Sequence, residues 1–283
     1  MSFIKLLSRL PLSVLYILSD FLYLVNYYLI RYRRTLVMKN LRNSFPEKSE
    51  PELHTLEKEF YRNLADVSIE TLKAITISKK ELGKRVIIHG NLVEEAMKAG
   101  KPMIFITSHF SNWELEWIAL STHFHFEMHA AYKKLRNSFV NKLIFELRSR
   151  FGGIMHEKNE VVADMAKLGQ RKYIMAMAGD QRPSSGAKKY WATFMNQDAA
   201  FYSGTEILAR RMDASVVYLS MHRLRRGFYE ITCELITSTP KLLQKNEITN
   251  TFIRLMERDI RKDPASYLWS HNRWKFIKPT GSN

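Results

Sequence analysis

The stretch MIFITSHFSNWELEW, residues 103–117, decides the fold. Its first six residues, 103–108, make a short run rich in apolar and β-branched side chains, the composition of a buried strand. His109 follows where that strand ends, and 111–121 carries a helical pattern. A buried strand running directly into a helix is the unit of α/β folds. In open α/β sheets ligands bind outside the carboxyl ends of the strands, so the loop around His109 is where chemistry is expected.

Working outward, 85–89, 126–132, 173–178, 215–220 and 228–235 read as further strands. Helical periodicity marks 52–76, where Leu53, Leu56, Phe60, Leu64, Val67, Leu72 and Ile75 recur, and also 91–99, 139–151, 161–168, 201–212 and 248–261. Residues 182–186 (RPSSG) read as a loop. The alternation predicts an α/β fold: a single domain with a central mixed, largely parallel sheet flanked by helices, preceded by an N-terminal hydrophobic membrane-anchor helix. The expected division is 1–34 for the anchor and its basic flank and 35–283 for the catalytic domain. No repeat, low-complexity tract or linker divides the latter.

Composition narrows the class. Of 283 residues 46% are hydrophobic and 12% aromatic, which excludes disorder, and Cys233 is the one cysteine, which excludes a disulfide framework. The formal charge is +16, pointing to an anionic partner such as nucleic acid, a membrane surface, or an acidic protein or metabolite. Residues 10–30 (LPLSVLYILSDFLYLVNYYLI) would make a helix roughly 31 Å long, close to a bilayer core. Lys5 and Arg9 precede it; Arg31, Arg33, Arg34, Lys39 and Arg42 follow, and Tyr27 and Tyr28 lie at its end. A spanning anchor, an interfacial helix and a core helix all fit; Asp20 near the middle weighs against spanning, since a carboxylate there costs about 2.5–3.5 kcal/mol. The heavier basic flank predicts that the remainder is cytoplasmic.

A neutral imidazole at position 109 can accept a hydroxyl proton, and a carboxylate on its other nitrogen would fix the tautomer and stabilise the imidazolium. Glu114 is the carboxylate at hand, although 111–114 (Ser-x-x-Glu) also reads as a capping box. His123, His125 and His129 complete no known metal spacing, and no metal site is expected. Zinc-finger spacing, RNP-like stretches and basic-leucine heptads are lacking, so nucleic acid is not expected as a partner. Neither GxGxxG nor GxxxxGK[ST] nor GxSxG occurs.

The run His109-Phe-Ser-Asn-Trp-Glu114 resembles the HX4E motif of the bacterial late acyltransferases of lipid A biosynthesis, within the wider lysophospholipid and glycerolipid acyltransferase group. Four other stretches resemble that family in the same order: 39–46 (KNLRNSFP), 132–144 (YKKLRNSFVNKLI) with Arg148-x-Arg150, 179–181 (GDQ) and 269–275 (WSHNRWK). The resemblance implies transfer of an acyl chain from a thioester, on acyl carrier protein or coenzyme A, to a hydroxyl of an anionic membrane lipid. It implies no cofactor beyond that thioester co-substrate. His109 would be the base and Glu114 its orienting carboxylate; Asp180 and Gln181 would line the cleft, and Arg148 and Arg150 would bind phosphate or the carrier's pantetheine arm. Asn112 and Lys133 are the remaining candidates for substrate contact. The implied location is the bacterial inner membrane, with the catalytic domain on the cytoplasmic face. The sequence departs from the family at 132–134, where Tyr-Arg-Pro is Tyr-Lys-Lys, and at 137–138, where Asn-Pro is Asn-Ser. Its Phe-Phe-Gly followed by a proline is Phe194-Met-Asn196 with Asp198 beyond. These departures bear on the acceptor; other lipid acceptors, or a non-enzymatic basic membrane scaffold, are the alternatives.

Overall fold

The computed structural model describes residues 2–279. Helices α1 (Ser2–Ser8) and α2 (Leu12–Leu24) are separated at Pro11, and α2 runs on into a π-helical segment, Val25–Ile30. Then come α3 (Arg34–Ser44), α4 (Glu50–Ala74), α5 (Lys79–Arg85), β1 (Val86–His89), α6 (Asn91–Met97), β2 (Met103–Thr107) and α7 (Trp113–His123). The chain continues through β3 (Glu127–Tyr132), α8 (Ser138–Ser149), β4 (Ile154–Glu157), α9 (Val161–Leu168) and β5 (Tyr173–Ala178). It finishes with β6 (Tyr190–Phe194), β7 (Gln197–Phe201), α10 (Gly204–Met212), β8 (Ser215–Arg225), β9 (Phe228–Thr237) and α11 (Glu247–Lys262).

Among the described residues seven strands form one sheet in the order β1-β9-β8-β2-β5-β3-β4, parallel except where β8 meets β9. This is the mixed, largely parallel sheet that the pattern predicts. Central β2 is buried on both faces, which explains its unbroken apolar run. Ile104 and Ile106 pack into the core beneath α4, α9, α10 and α11, while Met103 and Phe105 pack into the core beneath α5, α6 and α7. Phe201, expected at the start of a helix, instead ends β7. The β6–β7 hairpin turns at Met195 and Asn196, both with positive φ. His123 closes α7 and His125 lies in the following loop, off any strand.

The apolar helix near the N-terminus is half embedded. Leu12, Leu15, Ser19, Tyr23 and Tyr27 are buried, whereas Val14, Ile17, Phe21 and Leu24 form an exposed stripe at helical spacing on α2, and Phe3, Leu6, Leu10 and Tyr28 on either side of it are exposed as well. Polar ties run from its buried face to α4: Ser19 Oγ donates to Asp66 at 2.7 Å, Tyr27 Oη to Glu57 at 3.0 Å and Tyr16 Oη to Glu70 at 2.8 Å. Asp20, the awkward charge of this helix, pairs with Arg226 at 2.6 Å, and Arg226 also holds Asp66. Of the basic flank, Arg34 binds Glu57, Arg42 binds Glu50 and Arg33 donates to the Ser270 carbonyl.

Candidate functional site

Parallel pairing places the site. Thr107 at the end of β2 is in register with Ala178 at the end of β5. Two residues further along each chain stand His109 and Asp180, and the imidazole Nδ1 lies 2.7 Å from Asp180 Oδ1. Gly179 makes this approach possible. Its N–H donates to the Thr107 carbonyl at 2.9 Å, and a Cβ there would come within 2.9 Å of the Phe252 ring. Asp180 is 1% exposed, while the His109 side chain keeps 20% of its surface.

The charges support one another. Burial alone would push the His109 pKa down, but the charge and hydrogen bond of Asp180 outweigh it, leaving the imidazole above the ordinary histidine value. Burial likewise tends to raise Asp180, but His109 outweighs it and holds the carboxyl below the usual range. An ionised carboxylate only accepts, so Nδ1 carries the proton and Nε2 the lone pair. Gln181 Nε2 lies 3.2 Å from that Nε2 and is solvent-exposed. The Trp113 ring meets the imidazole edge-on at 5.3 Å between centroids.

Glu114 is elsewhere. Arg148 grips its carboxylate bidentately, Nε to Oε2 at 2.9 Å and Nη2 to Oε1 at 2.6 Å, and Trp113 Nε1 donates to it at 3.2 Å. The first turn of α7 points Glu114 toward α8, whereas the neighbouring strand brings Asp180 to the imidazole. Glu114 acts on His109 through its charge alone, opposed by that of Arg148. The expected capping box is also shifted. Asn112 is the N-cap, its Oδ1 accepting from Leu115 N at 3.1 Å, and Ser111 takes a left-handed turn at φ 55°.

The remaining candidates divide. Asn112 is fully buried and its Nδ2 donates to Glu70 at 2.7 Å, so both ends of its amide are engaged within the protein. Arg150 donates to the Ala74 carbonyl at 2.7 Å and lies over Phe151. Lys133 is exposed on the segment between β3 and α8. His271, within the 269–275 stretch, is pushed down to about 4, by burial foremost, and is neutral beside Asp180. The sequence reading did not pair Asp180 with His109. The available signal was the likeness of 103–109 and 173–180, two apolar runs each followed, two residues past the strand, by a titratable side chain. Among the described residues no group of three or more His, Cys, Asp or Glu could hold a metal ion. His129 instead pairs through Nδ1 with His156 at 2.8 Å.

Residues 1–276 match the family model described as bacterial lipid A biosynthesis acyltransferase. A lipid A biosynthesis palmitoleoyltransferase of Escherichia coli (strain K12) is 22% identical over 259 residues, covering 90% of this chain and 82% of that protein. A lipid A biosynthesis acyltransferase of Shigella flexneri is similar to the same extent.

Proposed function

The chain belongs to the bacterial lipid A biosynthesis acyltransferase family and is an acyltransferase, and on that premise we propose that it moves a fatty acyl group from an acyl thioester to a hydroxyl of a lipid A precursor, with His109 as general base. The observation that carries this reading is the 2.7 Å contact between His109 Nδ1 and buried Asp180, which leaves Nε2 basic at the mouth of the sheet. The acceptor hydroxyl replaces Gln181 at Nε2 and passes its proton there. Its oxygen bonds to the thioester carbonyl carbon, giving a tetrahedral oxyanion. Collapse breaks the carbon–sulfur bond, and the departing thiolate takes the proton back from the imidazolium. Asp180 stabilises the imidazolium in between; a base of this kind contributes roughly 10²–10⁴-fold.

Arg148 keeps Nη1 without a protein partner among the described residues while its other nitrogens hold Glu114. In our reading it offers that donor to an anionic oxygen of substrate, and the pair with Glu114 keeps it aimed. Lys133 supplies exposed charge for lipid phosphate or the carrier's acidic surface, and carrier protein or coenzyme A serves as donor. The exposed apolar face of α1 and α2 lies in the plane of the inner membrane's cytoplasmic face rather than spanning it. Spanning would carry the Asp20–Arg226–Asp66 network into hydrocarbon, at several kcal/mol for each poorly compensated group. Purified protein tests the assignment: His109→Ala abolishes transfer with an unchanged melting temperature, and a variant keeping more than half the rate refutes the base. Mass spectrometry of total lipids with and without the chain identifies the acceptor and the chain length.

A further inference from the structure

Glu70 is an acid that the reaction does not use, on α4 and 1% exposed. Three elements send a donor to its carboxylate: Tyr16 Oη of α2 to Oε1 at 2.8 Å, Asn112 Nδ2 of the catalytic loop to Oε2 at 2.7 Å, and Tyr229 Oη of β9 to Oε2 at 2.6 Å. A buried carboxylate is disfavoured unless such donors surround it. This one stands where the membrane-facing helix, the sheet and the loop after β2 converge. The orientation of Asn112 follows from its cap. The Leu115 N–H only donates, so Oδ1 must face it as the cap of α7, and Nδ2 is left to donate to Glu70. The turn begun by that cap carries Trp113, against His109, and Glu114, on Arg148.

We propose that Glu70 is a positioning residue for acyl transfer, which through Asn112 holds the 108–112 loop so that His109 stays on Asp180, and through Tyr16 makes the docking of α2 a condition of that geometry. The proposal rests on His109 being the base. It makes the lipid-facing helix part of the catalytic frame, since one carboxylate separates its Tyr16 hydroxyl from the cap of α7.

The test uses the full-length chain in detergent, with a C16 acyl thioester, offered both on acyl carrier protein and on coenzyme A, and a purified lipid A precursor. Asn112→Asp sets two carboxylates face to face and is expected to lower kcat at least tenfold while KM for the thioester stays within twofold. Adding Glu70→Gln restores a donor–acceptor pair with the roles exchanged and is expected to bring kcat back to within about threefold of the parent, the mark of direct coupling. Tyr16→Phe deletes one hydroxyl, adds no charge and retains the fold. It is expected to lower kcat about threefold and to move the midpoint of the kcat–pH profile down, because a loosened loop weakens the His109–Asp180 contact. A purely structural contact would lower the active fraction without moving that midpoint. Wild-type kcat in folded Asn112→Asp, a double variant no faster than Asn112→Asp, or an unmoved midpoint in Tyr16→Phe each overturns the proposal. His109→Ala, run alongside, separates the two ideas: if it is inactive the failure belongs to Glu70, and if it is active the base assignment itself is wrong.

Discussion

Glu116→Gln is expected to change from neutral or mildly destabilising near pH 5 to stabilising by pH 8. Glu116 sits in the first turn of α7, 2% exposed, and its carboxyl meets the Thr107 hydroxyl at 3.2 and 3.0 Å. No cation pairs with it among the described residues, and burial pushes its pKa from 4.5 up to about 8. The folded chain therefore keeps a proton that the unfolded chain releases between those two values. Stability falls as pH rises through that window, by about 1.4 kcal/mol per pH unit. From 4.5 to 8 the loss reaches about 5 kcal/mol, and at pH 7 it is about 3 kcal/mol. Glutamine has the same shape and does not titrate, but its second N–H finds no partner, which costs about 1–3 kcal/mol at every pH. The variant should thus match or trail the parent near pH 5 and surpass it by pH 8. One kcal/mol moves the melting temperature by about 2–4 °C in a protein approaching this size. Thermal unfolding followed by circular dichroism in detergent at pH 5, 6.5 and 8 measures the crossing. A melting-temperature difference that is constant with pH would refute the reasoning, because it would mean Glu116 is ionised in both states or in neither.

Asp180→Asn is expected to lower kcat by about 10²-fold or more, since it removes the charge behind the imidazolium and lets an amide N–H face Nδ1 and fix the wrong tautomer; the surviving pH midpoint should fall, because the charge that raises His109 is gone. Glu114→Gln should lower kcat less than Asp180→Asn, as Glu114 does not touch the imidazole, and equal losses would contradict that order. Arg148→Met strands a carboxylate whose side chain is 8% exposed; the cost should be about 2–3 kcal/mol, discounted from the 3–5 typical of fully buried pairs because Arg148 is partly exposed, and urea unfolding measures it. Ile17→Asp combined with Phe21→Asp changes two exposed apolar positions and should release the chain from vesicles of anionic lipid while leaving its melting temperature near that of the parent; undiminished sedimentation with vesicles would count against the in-plane helix.

Local pattern made much of the fold legible. β2 and β5 are short apolar runs because central parallel strands are covered on both faces, and α4 announces itself by the helical spacing of its apolar residues from Leu53 to Leu72. Where elements escaped reading, local signals were weak. β4 is four partly exposed residues at the sheet edge. The β6–β7 hairpin turns on Met195-Asn196, without the Asn-Gly pair that usually marks two left-handed residues.

The site divided in the same way. By itself the sequence determined that His109 stands at the end of a central strand, because strand length and the onset of α7 are local properties, and that an apolar helix lies near the N-terminus, because composition alone shows it. Which carboxylate meets the imidazole was decided by tertiary structure. Glu114 is five residues from His109 and Asp180 is 71, yet strand register aligns 107 with 178 and so 109 with 180. Whether the apolar helix stands apart or packs was decided in the same place, by Asp66, Glu70 and Arg226, partners 47 to 206 residues away in the chain. Side-chain chemistry is written residue by residue, but the carboxylate that tunes a base, or the cation that neutralises a stray aspartate, is chosen by which strands pair and which helices pack, and no window of sequence contains both members.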